Sequence, residues 1–131
     1  MTWDFGGKRI VKIDFDLNVS RYSNDDLSLL FDDDTRVTFT SETDCCASMG
    51  LRTSRKEFAD LINKKLLRLE EIVTFEGKGD SSETFYNYTF HFSDGTEFDF
   101  DFDGHHGNGG YYCSMVNVII HRNSESPDDV D

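Results

Sequence analysis

Apolar and polar residues alternate along much of this chain, and the dominant period is two. From Ile10 to Val19, Val11, Ile13, Phe15, Leu17 and Val19 alternate with Lys12, Asp14, Asp16 and Asn18, the pattern of a half-buried strand. Leu27 to Phe31 and Arg36 to Thr40 flank Asp32-Asp33-Asp34-Thr35, whose short polar side chains suit a turn, so this pair predicts a hairpin. Ser54 precedes Glu57 at capping-box spacing, and Phe58, Leu61 and Ile62 follow at helical spacing. These residues predict one short amphipathic α-helix over 54–62, with Asn63 to end it. Leu67, Leu69, Val73 and Phe75 predict a further strand, closed by the glycine-containing loop Glu76-Gly77-Lys78-Gly79-Asp80.

The last third allows a register to be argued. Tyr86, Tyr88, Phe90 and Phe92 alternate before Ser93-Asp94-Gly95, and Phe98, Phe100 and Phe102 alternate after it. A two-residue Asp94-Gly95 turn sets Phe90 against Asp99 and mixes aromatic and acidic side chains on one face. A three-residue loop with a left-handed Gly95 instead pairs Phe90 with Phe98, Tyr88 with Phe100 and Tyr86 with Phe102. One face is then wholly aromatic. The other carries His91 opposite Glu97, Thr89 opposite Asp99 and Asn87 opposite Asp101, with Asp103 beyond. A Gly-rich loop from Gly104 to Gly110 leads to a last strand around Tyr112 to His121. No internal repeat is visible. These elements predict one α+β domain over 1–121, a mainly antiparallel sheet of five to seven strands with one short α-helix, and an acidic flexible tail over 122–131.

Charge sharpens this picture. The 131 residues carry 26 acidic and 13 basic side chains, a net charge of -13, which argues against direct contact with nucleic acid or an anionic membrane. The implied partner is basic. No apolar run approaches the roughly 20 residues of a membrane-spanning helix, and Met1-Thr2-Trp3-Asp4 does not open a signal segment, so a soluble cytoplasmic protein is expected. The acidity is uneven, with two basic and twelve acidic residues from Ile72 onward. Side chains two apart on a strand lie about 6.8 Å apart, so Glu97, Asp99, Asp101 and Asp103 form a line of negative charge spaced on the order of nucleic-acid phosphates. Asp14 and Asp16 form a second, shorter row. A solvated outer face that keeps an aromatic sheet in solution accounts for the same residues, although like charges in line repel and cost stability.

Other chemistry is less well supported. With three cysteines, Cys45, Cys46 and Cys113, one thiol is always left unpaired, which fits a reducing compartment and small buried side chains. Asp44, Cys45, Cys46, His105, His106 and Cys113 include zinc-ligand types, yet their spacing matches no zinc pattern. The same cysteines with His105 or His106 are the parts of a thiol hydrolase, but acidic surroundings raise a thiol pKa. Asp99-Phe-Asp101-Phe-Asp103-Gly104 imitates the start of an EF-hand loop, whose closing Glu position is here Gly110. No cofactor is expected.

The order strand, Thr43-Asp44-Cys45-Cys46, short helix, strand, aromatic hairpin and Asn108-Gly109-Gly110-Tyr111-Tyr112 resembles a family of small phage and prophage proteins. In that family an Asp-Cys-Cys motif follows a strand and an Asn-Gly-Tyr-Tyr motif precedes the last one. The likeness covers about Leu27 to Val118, with an extra Gly in the second motif. It implies a phage origin and a fold, and it carries over no catalytic residue. The expected function is therefore that of an acidic phage protein, not an enzyme, that occupies the basic groove of a host nucleic-acid-binding defence protein, such as a CRISPR effector, through Asp14, Asp16, Glu97, Asp99, Asp101 and Asp103. The alternatives are a metal-binding protein or hydrolase built on the Asp-Cys-Cys and His-His segments, and an accessory phage protein whose acidity serves only solubility.

Overall fold

Alternation in this sequence becomes one antiparallel sheet of eight strands, ordered β4-β7-β6-β5-β1-β2-β3-β8. The computed structural model describes residues 1–43, 48–77, 83–105 and 114–122. The strands are β1 (Thr2–Phe15), β2 (Ser23–Phe31), β3 (Arg36–Thr43), β4 (Ser48–Leu51), β5 (Lys65–Glu76), β6 (Glu83–Phe92), β7 (Glu97–His105) and β8 (Ser114–His121).

The fold is all-β, which corrects the α+β expectation on two counts. Residues 54–62 do not form an α-helix but a single 3-10 helix, Arg55–Leu61, that buries Phe58 and Leu61. Ser54 makes no side-chain cap, and Ser54 and Ile62 are both extended, so too few residues remain for α-helical cooperativity to set in. The strand count exceeds five to seven. β1 starts at Thr2 because Gly6 and Gly7, with φ of 63° and 87°, shift its register between Asp4 and Lys8, which hides the first half of the strand behind a break in alternation. β4 is too short to show any period. The tail expected over 122–131 lies, from residue 123 on, outside the described residues.

The sheet folds over so that β3 faces the β6–β7 hairpin. Phe39 is fully buried, with its ring 5.0 Å from that of Tyr88 and 5.2 Å from that of Phe100. Phe58 from the 3-10 helix closes one side, 5.0 Å from Phe98 and 5.6 Å from Phe15. The aromatic hairpin has the three-residue loop: Tyr86 pairs with Phe102, Tyr88 with Phe100 and Phe90 with Phe98, and Gly95 has φ of 87°. The Asp32–Thr35 hairpin also forms, between β2 and β3.

The structure contains a repeat that the sequence does not display. β1-β2-β3 and β5-β6-β7 are two meanders whose registers match around their turns, although β2–β3 has a bulge between Asp25 and Leu27 that β6–β7 lacks. Ile10 lies opposite Phe31 and Leu66 opposite Phe92, and a bulge follows each. Ile13 then meets Leu29 as Leu69 meets Phe90. In the turns, the Phe31 N–H donates to Thr35 O at 2.9 Å and the Phe92 N–H to Thr96 O at 2.9 Å. Lys8 reaches Asp33 at 2.8 Å and Lys64 reaches Asp94 at 3.1 Å. The fourth strands are exchanged, since β4 extends β7 and β8 extends β3.

Candidate interaction face

The β6–β7 register that turns the aromatic side chains from Tyr86 to Phe102 inward turns the carboxylates outward. Glu97 lies opposite His91, Asp99 opposite Thr89, Asp101 opposite Asn87 and Asp103 opposite Phe85. Across β5 and β1 the same face continues, with Arg68 and Glu70 beside His91 and Thr89, and Asp4 and Thr2 beyond them. Glu70 and Asp4 are contributors that the sequence reading missed. The alternation of Arg68, Leu69 and Glu70 was a signal for the first, while Asp4 sat in the unrecognised half of β1.

The partners of these acids separate them into two kinds. Asp103 bonds Arg52, its side chain is 12% exposed, and its Oδ1 is buried without a partner among the described residues. That carboxylate is tied into the β4–β7 edge. Asp99 accepts a hydrogen bond from the Thr89 hydroxyl at 2.7 Å, and Asp101 one from the Thr53 hydroxyl at 3.1 Å. Glu97 lies 3.0 Å from His91 Nδ1, and Glu70 bonds Nε2 of the same ring, with Arg68 at 3.8 Å. Among the described residues, then, no Lys or Arg neutralises Glu97, Asp99 or Asp101. Between them runs an open groove of about 320 Å³ lined by Asn87, Thr89, Asp99 and Asp101. It lacks the enclosing apolar walls of a small-molecule pocket.

Asp14 and Asp16 do not join this row. Their end of β1 pairs with β2, while β5 and β6 separate β1 from β7. Asp14 lies 3.4 Å from Arg36 and 3.7 Å from Lys12. Asp16 has a left-handed backbone, with φ of 53°. A hydrogen bond from Asn24 and then the Arg55 guanidinium hold its carboxyl below the usual range. Both acids are neutralised locally by the fold.

The metal and hydrolase candidates Asp44, Cys45, Cys46, His106 and Cys113 lie outside the described residues. His105 is described only as the backbone end of β7, opposite Ser48 and Glu83. Among the described residues no group of three or more His, Cys, Asp or Glu side chains is placed to hold a metal ion, and no helix is long and apolar enough to cross a membrane.

Neither the curated proteins nor the solved structures contain a match to this chain. A family model does match, over residues 5–118, which takes in every strand from the first bulge of β1 to the middle of β8. The chain therefore belongs to the family described as Domain of unknown function (DUF7448).

Proposed function

We propose that this is an acidic interaction protein that docks the outer face of β6–β7 into the basic groove of a nucleic-acid-binding protein and so excludes its nucleic acid. Glu97, Asp99 and Asp101 are the central contacts, Glu70 and Asp4 extend the face, and a phage-encoded inhibitor of a host defence protein is the setting that fits this chemistry. Fixed carboxylates on a rigid sheet present charge without the ordering cost of a flexible chain, and they steer association with a cationic partner.

The observation that carries this reading is the comparison of the two meanders. At the β3 positions matching Glu97, Asp99 and Asp101 stand Arg36, Thr38 and Thr40. The shared backbone thus carries no carboxylate there in one half, where Thr38 and Thr40 are buried, and acids in the other, where Asp99 is exposed and Asp101 half-buried, so the row on β7 is not a requirement of the backbone design. Its like charges repel, and binding to a cationic groove offsets that repulsion.

The test is capture from nuclease-treated host lysate with the wild-type protein and the triple variant Glu97→Gln/Asp99→Asn/Asp101→Asn, at low and high salt. A nucleic-acid-binding protein retained by the wild type, released by salt and lost with the variant supports the reading, provided the purified pair also blocks nucleic-acid binding. Equal capture by both proteins, with equal salt dependence, overturns it.

A further inference from the structure

The exchange of fourth strands covers the outer edges of both meanders, and it leaves two new edges, β4 and β8. They differ in how they are protected. β4 is four residues long, and Arg52, which follows it, is engaged with Asp103. β8 is eight residues long and pairs on one side with β3 from Arg36↔His121 to Thr43↔Ser114 without a bulge. No strand is hydrogen-bonded to its other side among the described residues. Natural edges are blunted by shortness, charge, proline or bulges, and β8 has none of these between Ser114 and Ile120.

The side chains agree with the backbone. Met115, Ile119 and Ile120 are 43%, 39% and 41% exposed. Gly104 to Ser124 is also the longest stretch of this chain that contains neither Asp nor Glu. In a protein of net charge -13, two copies repel wherever carboxylates face each other; neither edge strand carries one, and β8 is the longer of the two.

From these observations we infer that β8 pairs antiparallel with β8 of a second copy, across a two-fold axis at Asn117, to make one continuous sheet through the dimer. Such a contact is isologous, so the same edge supplies both partners. A two-fold axis perpendicular to the sheet keeps outer face with outer face, and centring it on Asn117 sets Met115 of each copy opposite Ile119 of the other. Val116 then meets Val118 on the inner face. These are apolar and β-branched cross-strand pairs, the kind that stabilise sheets. Because the remaining charge of the two copies is repulsive and is screened over about 8 Å at physiological ionic strength, added salt strengthens this association. That sign is opposite to the one for the acidic face, so the failure of either reading is distinguishable from the failure of the other.

The experiment is sedimentation equilibrium of the full chain at low and high salt, with Ile119→Lys, the double variant Met115→Lys/Ile119→Glu, and Ile72→Lys. Ile72 is 64% exposed on β5 and serves as a control. The wild type is expected to be a dimer favoured by salt. Ile119→Lys should raise Kd at least tenfold, because it replaces both apolar Met115–Ile119 cross-strand pairs of the dimer with an ammonium facing a methionine. The double variant should recover, because the ammonium introduced at one position of each copy then faces the carboxylate introduced at the other position of its partner, and Ile72→Lys should change nothing. Circular dichroism melts show whether each variant remains folded. A wild-type monomer at all salt concentrations, a dimer indifferent to Ile119→Lys, or a double variant as weak as the single one overturns the inference.

Discussion

Phe39 is the contact through which the two meanders hold each other, and replacing it with alanine tests that role. The residue is fully buried, and its ring lies within 6.3 Å of Tyr88, Phe90, Phe100 and Phe102, all on the facing hairpin. Truncation removes the transfer free energy of the ring and leaves a cavity walled by rigid aromatic side chains that collapse poorly, which places the cost near the middle of the Phe→Ala range, about 4 kcal/mol. For a chain of 131 residues this lowers the melting temperature by roughly 14 °C, from an unfolding entropy of about 2.1 cal/mol/K per residue. Urea titration with fluorescence detection is the assay, and the midpoint should fall while the slope is unchanged. Phe100→Ala, at the matching position of β7, should cost a similar amount. Because the two rings touch at 5.2 Å, the double variant should lose less than the sum of the single losses. A Phe39→Ala loss below about 2 kcal/mol, or full additivity with Phe100→Ala, refutes the packing argument.

Two further predictions concern carboxyl groups whose environments pull in opposite directions. Hydrogen bonds from Lys8, then Thr35, hold Asp33 at about 2, and hydrogen bonds from Thr96, then Lys64, hold Asp94 at about 2. Folded values below the unfolded one contribute stability above about pH 4 that is lost as pH falls toward 2. The double variant Asp33→Asn/Asp94→Asn should therefore be less stable than wild type at pH 6 and nearly equal to it at pH 2. Equal stability at pH 6 contradicts the assignment. Asp26 is 7% exposed, and its Oδ2 has no partner among the described residues. Burial, then the charges of Asp16 and Asp25, raise its pKa against hydrogen bonds from Ser41 and Asn24. A raised carboxyl costs stability only once pH exceeds its unfolded value, so Asp26→Asn should stabilise the protein at pH 7 and have no such effect at pH 3. Destabilisation at pH 7 in chemical denaturation counts against it.

What the sequence disclosed followed from local chemistry. The Ser93-Asp94-Gly95 loop was legible because only one register separates Tyr88 and Phe90 from Asp99 and Asp101, and the same residues fixed the acidic side of the hairpin. The long-range arrangement was not legible. Nothing local to Ser114–His121 says that it leaves its own meander to pair with β3, and nothing local to Asp14 and Asp16 says that Arg36 and Arg55 cover them. The 3-10 segment was misread because Ser54 and Glu57 have capping-box spacing, while only the structure shows Ser54 making no cap. The repeat stayed hidden because most of its inner positions keep apolar character but not identity: Leu27, Leu29 and Val37 in one half match Tyr88, Phe90 and Phe98 in the other, while Phe39 and Phe100 agree. The longest shared trace is one short motif, Phe31-Asp32-Asp33-Asp34-Thr35 against Phe92-Ser93-Asp94-Gly95-Thr96.

That trace also shows which features belong to the scaffold. Wherever both halves keep the same interaction, the fold needs it: the lysine, aspartate and threonine of each turn, the bulge after Ile10 and after Leu66, and the bond from the exchanged strand back to the last acid of the third strand. In one half that bond joins Asn117 to Glu42, and in the other Arg52 to Asp103. Asp103 is therefore scaffold although it stands in the acidic row. Glu97, Asp99 and Asp101 have no such counterpart, because Arg36, Thr38 and Thr40 occupy their places. The two outer faces thus rest on one backbone design and diverge at three consecutive positions of that face, each from a cationic or neutral side chain to an acid. Burial accounts for part of this divergence: Thr38 and Thr40 are 4% and 7% exposed, so a carboxylate there would lose its water, whereas Asp99 is exposed and Asp101 half-buried. Exposure permits acids at Asp99 and Asp101 without requiring them, and on the proposed reading it is a cationic partner that selects the row.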